Sequence, residues 1–103
     1  MITATIYIHG QYDPEDVIKL LIREQLIAFA THDLGITVYR NENGQMKTDN
    51  VNVIYVKTSA LMYNHLIEHL DTFYPEQYYL FSTPIVDFSD SVKSVVSENV
   101  KRV

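Results

Sequence analysis

Residues 39–57 read YRNENGQMKTDNVNVIYVK. Asn43-Gly44 is the pivot of this stretch. Both residues tolerate positive φ, so the pair predicts a tight β-hairpin when it lies between two strand-like runs. The run leaving it is clearest at Val51-Asn52-Val53-Ile54-Tyr55-Val56-Lys57, rich in β-branched and aromatic residues. The run entering it, Ile27 to Arg40, is also rich in strand formers but is interrupted by Thr31-His32-Asp33-Leu34-Gly35. It reads as one long strand with a bulge or kink at Gly35. Two long antiparallel strands therefore occupy the middle of the chain.

On the N-terminal side, Ile2, Ala4, Ile6 and Ile8 alternate with Thr3, Thr5, Tyr7 and His9, which predicts a strand that Gly10 ends. Asp13-Pro14-Glu15-Asp16 then starts a helix. Asp13 can cap free amides, Pro14 suits the first helical position, and the two carboxylates face the positive end of the helix dipole. The helix is expected to run to about Leu26, with Val17, Leu20 and Leu21 on its apolar side. On the C-terminal side, Thr58 or Ser59 is expected to cap a second helix, with Met62, Leu66, Leu70 and Phe73 as one apolar stripe and Pro75 closing it. Tyr78 to Phe88 reads as a fourth strand, which Pro84 demotes to an edge or a bulge. Ser89-Asp90 opens a short terminal helix with Val92, Val95, Val96 and Val100 on one face. The order is β-α-β-β-α-β plus a helix. That is an α+β, ferredoxin-like two-layer sandwich, with residues 1–103 as a single domain.

Two crossover helices cover one sheet face, which leaves the other face to be explained. The chain has eight tyrosines. Tyr7, Tyr39, Tyr55 and either Tyr78 or Tyr79 are expected on the uncovered face. An aromatic sheet face is a partner surface, and three occupants compete: another copy of the chain, single-stranded RNA, or nothing beyond ordinary half-buried packing. The balance of thirteen acidic against eight basic residues, a formal charge of -5, opposes nucleic acid. So does the scatter of Lys19, Arg23, Arg40, Lys47, Lys57, Lys93, Lys101 and Arg102 along the chain. The same charge disfavours an acidic membrane surface, and no apolar run approaches the roughly 20 residues of a membrane span. The start of the chain shows no basic leader, so a cytoplasmic location is the expectation.

Chemistry-bearing patterns are few. The chain has no cysteine, so thiolate metal sites, thiol nucleophiles and internal disulfides are excluded. His65-Leu66-Ile67-Glu68-His69 matches the H-x-x-E-H string of a class of zinc peptidases. Two histidines four apart share a helix face and can grip one ion. The string lacks a third ligand from another helix and a substrate cleft. It reads either as a helix flank with two solvent-side histidines or as a weak surface site for copper, nickel or zinc. His9 and His32 are single histidines near strand ends. The glycines are isolated, so there is no phosphate-binding loop. No convergent catalytic set appears, and the expectation is a protein that is not an enzyme.

Several strings together are similar to the CutA family of divalent-cation tolerance proteins. They are Tyr39-Arg40 followed by a turn with Gly44, a strand ending in Lys57-Thr58, a helix ending before Tyr74-Pro75, and Thr83-Pro84-Ile85. Glu24-Gln25-Leu26-Ile27-Ala28 also resembles that family's stretch after its first helix. The resemblance spans essentially the whole chain. It implies a homotrimer with sheets packed about a threefold axis and a link to copper or other divalent cations. No cofactor is expected beyond a weakly held divalent metal, copper or zinc. At fold level it extends to PII-type signalling proteins, which bind small ligands such as nucleotides between subunits. On this resemblance Tyr39, Arg40 and Lys57 are the candidates for an intersubunit ligand cleft; His65 and His69, from the helical spacing above, are the weak metal candidates. The sequence also departs from the family. Asn41 replaces its tryptophan, Ala28-Phe29-Ala30 stands where it has cysteine, and Tyr74-Pro75-Glu76-Gln77 replaces its His-Pro-Tyr-Glu string. Any metal here must be held by histidine and carboxylate.

Overall fold

The computed structural model describes residues 1–101; of the cations named above, Arg102 lies outside the described residues. The expected alternation at the start of the chain is present. In β1 (Ile2–His9) the residues Ile2, Ala4, Ile6 and Ile8 are buried and those between them are half-buried or exposed. The other elements are α1 (Pro14–Arg23), β2 (Phe29–Glu42), β3 (Gln45–Thr58), a 3₁₀ turn at Ala60–Met62, α2 (Tyr63–Phe73), β4 (Tyr78–Pro84) and α3 (Asp90–Asn99). The strands form one antiparallel sheet in the order β2-β3-β1-β4. This is the ferredoxin-like βαββαβ arrangement with an added C-terminal helix.

The core lies between the sheet and the first two helices. Ile6, Ile8, Ile54 and Val56 from the sheet meet Val17 and Leu21 of α1 and Leu66 and Leu70 of α2. Each large aliphatic side chain buried there contributes about 1.5–3 kcal/mol. The α2 stripe differs from expectation at its end. Met62, Leu66 and Leu70 are fully buried, but Phe73 is 51% exposed and Tyr74 takes the inner position. Spacing of four therefore persists through Tyr74, and Phe73 turns outward against His69, with ring centroids 4.8 Å apart.

Asp13 caps α1 as expected, whereas Ser59 caps the 3₁₀ turn that leads into α2 and not α2 itself. Asp13 Oδ1 accepts from the Glu15 amide at 2.9 Å. Ser59 Oγ accepts from the Leu61 amide, whereas the buried Thr58 hydroxyl donates to the Leu26 carbonyl at 2.6 Å. The first helix stops earlier than the sequence suggests. Gln25 takes the left-handed conformation (φ 59°), the Gln25 amide donates to the Ile22 carbonyl, and the Leu26 amide donates to the Leu21 carbonyl. This pair of bonds is a Schellman close. Its left-handed residue is glutamine, so no glycine marks it in the sequence. The fourth strand also ends early, at Pro84 opposite Ile2. Ile85 follows with its amide on the Met1 carbonyl, and residues 85–89 are not strand.

The bulge is where the sequence placed it. Asp33 pairs with Val53 and Ile36 with Val51, so Leu34 and Gly35 together oppose Asn52. Gly35 has φ 65°, a backbone state that suits glycine. Asn52 is buried in the middle of this irregularity. Its Oδ1 accepts from the Gly35 amide and its Nδ2 donates to the Tyr12 carbonyl, each at 2.9 Å. One asparagine thus ties the bulge to the β1–α1 loop. Beyond the bulge, β2 and β3 continue as a two-stranded arm to Asn43-Gly44, whose φ values of 53° and 83° match a primed hairpin turn. β1 pairs with β3 only from Val51 to Thr58, so the arm has no third strand. It helps to give the chain its longest dimension, 45 Å.

Candidate functional site

Strand pairing decides which side chains share the uncovered face. Tyr7 lies opposite both Val53 and Tyr79, and Thr5 lies opposite both Tyr55 and Phe81. Tyr7, Tyr55, Tyr79 and Phe81 therefore project away from the helices, with Tyr7 and Phe81 in edge contact at 5.2 Å. Phe29 joins them through its pairing with Lys57. Phe81 is 51% and Tyr79 42% exposed. Of the two alternatives at 78 and 79, Tyr79 is the one on this face. Tyr78 faces the helices and donates to Asp71 at 2.5 Å. Burial and then that carboxylate push its hydroxyl pKa up to about 12.

Tyr39 is not on this face, contrary to the expectation. The extra residue of the bulge reverses the alternation, so Arg40, paired with Lys47, continues the uncovered face while Tyr39 projects to the opposite side of the arm. Arg40 is held by two carboxylates. Its Nε donates to Asp49 Oδ2 and its Nη1 to Glu42 Oε2, both at 3.0 Å. The Tyr79 hydroxyl reaches the same Asp49 oxygen at 3.4 Å. The hydrogen bonds to Asp49 and then Glu42 raise the Arg40 pKa further and fix its charge. Asp49 and Tyr79 were not singled out from the sequence as a pair. Pairing across the hairpin identifies Asp49 only once the bulge has been counted.

Lys57 is remote from Tyr39 and Arg40 within one chain. The rows holding Lys57 and Lys47 are ten residues apart along β3, or roughly 34 Å. Lys57 instead borders an apolar cavity of about 340 Å³ at the other end of the sheet, walled by Phe29, Tyr55, Ile85, Phe88 and Val92. The three candidates do not form one site in a single subunit.

His65 and His69 do come together, on one flank of α2. They line a groove of about 320 Å³ with Glu24, Glu68, Thr72 and Lys101. His65 Nδ1 is 3.9 Å from Glu68 Oε2. His69 is less solvent-facing than expected: its Nε2 is buried and has no hydrogen-bond partner among the described residues. Burial lowers its pKa, Glu24 opposes that shift, and Arg23 and Lys101 add to it. Among the described residues, no three His, Asp or Glu side chains form a preassembled cage for a metal ion.

No protein-family model matches this chain, and neither does any curated protein sequence. Solved structures do. CutA1 from Pyrococcus horikoshii aligns over 99% of this chain and 100% of its own, with a TM-score of 0.84 at 19% identity. The fold is that of the CutA1 proteins. The divalent cation tolerance protein CutA1 of Thermus thermophilus gives 0.82 at 20% identity over 98% of this chain and all of its own. CutA1 from Oryza sativa also gives 0.82, at 17% identity over 100% and 97%. The likeness read from Tyr39-Arg40, Lys57-Thr58 and Thr83-Pro84 thus holds for the fold along nearly the whole chain.

Proposed function

We propose that this chain is a non-enzymatic, CutA-like protein that works as a homotrimer in the handling of divalent cations. One observation carries the assembly: an aromatic sheet face runs into a two-stranded arm that has nothing of its own to pack on. A lone hairpin is marginal in water and gains stability from a third strand or a packed face. The aromatic rings and Arg40 on the uncovered face suit a tyrosine-rich protein interface. Threefold closure is what the CutA resemblance implies, and the cation role is supported by the Thermus neighbour of like fold, which is named for divalent cation tolerance. A cytoplasmic location belongs to the same proposal and is supported by the absence of cysteine. The Archaeoglobus fulgidus neighbour is described as periplasmic, so fractionation of the source cells is the check.

Sedimentation equilibrium tests the assembly. The expected particle has three times the mass of the chain; a monomer at micromolar concentration would rule the reading out. A second reading is favoured by Lys57, which has no ion-pair partner among the described residues and borders the apolar cavity. A cation beside aromatic walls suits a small anion with an apolar body, such as a nucleotide, bound in the manner of PII-type sensors. A melting temperature raised by nucleotides and unmoved by metal ions would select this reading over the first, since a ligand of the native state stabilises by mass action.

A further inference from the structure

We propose that the groove between the end of α1 and α2 binds a first-row transition-metal dication through His65 and His69. The inference rests on the divalent-cation reading above and gives it a place that needs only one chain. Three features carry it. The two imidazoles stand one helical turn apart, with Cβ atoms roughly 5–6 Å from each other, so both can reach a single ion. They open into the same groove of about 320 Å³. The third feature is an unspent donor. A neutral imidazole has one lone pair and one N–H to satisfy, and the buried Nε2 of His69 meets neither need within the described residues. Leaving a buried polar atom unpaired is costly. An ion that draws the ring into coordination relieves that cost.

The charge around the groove is mixed and is consistent with a modest site. Glu24 and Glu68 line it, and Lys101 opposes them from the same wall. Glu68 is 77% exposed and one residue from His69, so it is free to swing toward a bound ion. Two imidazoles select zinc, copper or nickel over magnesium or calcium, which prefer oxygen ligands. The remaining coordination positions are left to water or to a carboxylate.

Calorimetric titration of the full chain with zinc chloride near neutral pH tests the site, with magnesium chloride as the contrast. One zinc per chain is expected and no heat from magnesium. His65→Ala and His69→Gln should each weaken zinc binding by about tenfold, whereas His32→Asn, outside the groove, should leave it unchanged. Unaltered melting of the metal-free variants confirms that they fold. A second readout needs no variant: zinc should shift the ring-proton resonances of His65 and His69 and leave those of His9 and His32 in place. Zinc binding that survives both groove variants, or shifts confined to other histidines, overturns this site while leaving the cation reading standing. No zinc binding at all overturns both.

Discussion

The helix-covered part of the sheet and the two-stranded arm beyond Gly35 are made from the same two strands under opposite conditions. Where β3 lies between β1 and β2, Ile54 and Val56 are fully buried. Ten residues earlier the same strand has one neighbour, and Met46 is 73% exposed; across the hairpin Tyr39 is 68% exposed. Both regions have full ladders of backbone hydrogen bonds. The difference is what the side chains meet. Hydrogen bonds alone contribute little net stability, because the unfolded chain bonds to water. The covered region holds the fold, and the arm leaves its side chains without anything to pack on within one chain.

That contrast can be broken at its strongest point first. Leu66→Ala opens a cavity under the sheet and is expected to destabilise the chain by about 2–5 kcal/mol, read as the midpoint of denaturant unfolding. A loss below about 1 kcal/mol would mean that the helix layer is not the main support. Asn52→Ala tests the junction. It strands the Gly35 amide and the Tyr12 carbonyl; a fully buried group left unpaired costs about 1–3 kcal/mol, and both of these are only part-buried, so a loss of roughly 2–4 kcal/mol for the two together is expected. Asn52→Asp should be nearly as damaging, because a carboxylate cannot donate to the Tyr12 carbonyl.

Gly35→Ala is a smaller and purer test of the bulge. An added Cβ would meet nothing within 4 Å. Only the positive φ opposes it, and a loss of about 1–2 kcal/mol is expected. An unchanged midpoint would show that the bulge relaxes to another geometry. The smallest effect belongs to the arm. Met46→Ala should change the stability of the separated chain by less than about 0.5 kcal/mol, as for other exposed positions. The same change should raise the concentration at which the assembly dissociates, measured by sedimentation. If it lowers chain stability and leaves association unmoved, the contrast between the two regions fails.

The legible parts of the fold were those with local chemistry. Asn43-Gly44, Asp13-Pro14 and the isoleucine alternation of β1 each state their conformation through backbone preference or a period of two. Gly35 marked the bulge, and the bulge was placed correctly. Its consequence was not legible, since the sequence shows that alternation is interrupted but not by how many residues. Strict alternation therefore puts Tyr39 on the wrong side and leaves Asp49 unmarked. Gln25 hid the end of α1 because glutamine is an unusual left-handed residue. Phe73 and Tyr74 compete for one inner position, and hydrophobicity alone favours the wrong one. Of the candidate site residues, His65 and His69 were brought together because one helix carries both. Tyr39, Arg40 and Lys57 depend on distances across the fold that no local pattern encodes.

The bulge also makes the arm's direction separable from that of the sheet. Rows from Phe29 to Asp33 are fixed against Lys57 to Val53, and the hairpin closes on its own turn. An in-frame loss of one codon at Leu34 would restore strict alternation through the junction. Because β3 runs regularly through the junction, the rows beyond it would keep their partners: Arg40 would stay opposite Lys47 on the uncovered face and Tyr39 opposite Thr48 on the other, while the arm lost the bend and extra twist that a bulge imposes. A lineage carrying this fold can thus re-aim its arm by a single deletion or insertion while each side of the arm keeps its residues, without rebuilding the domain that carries it.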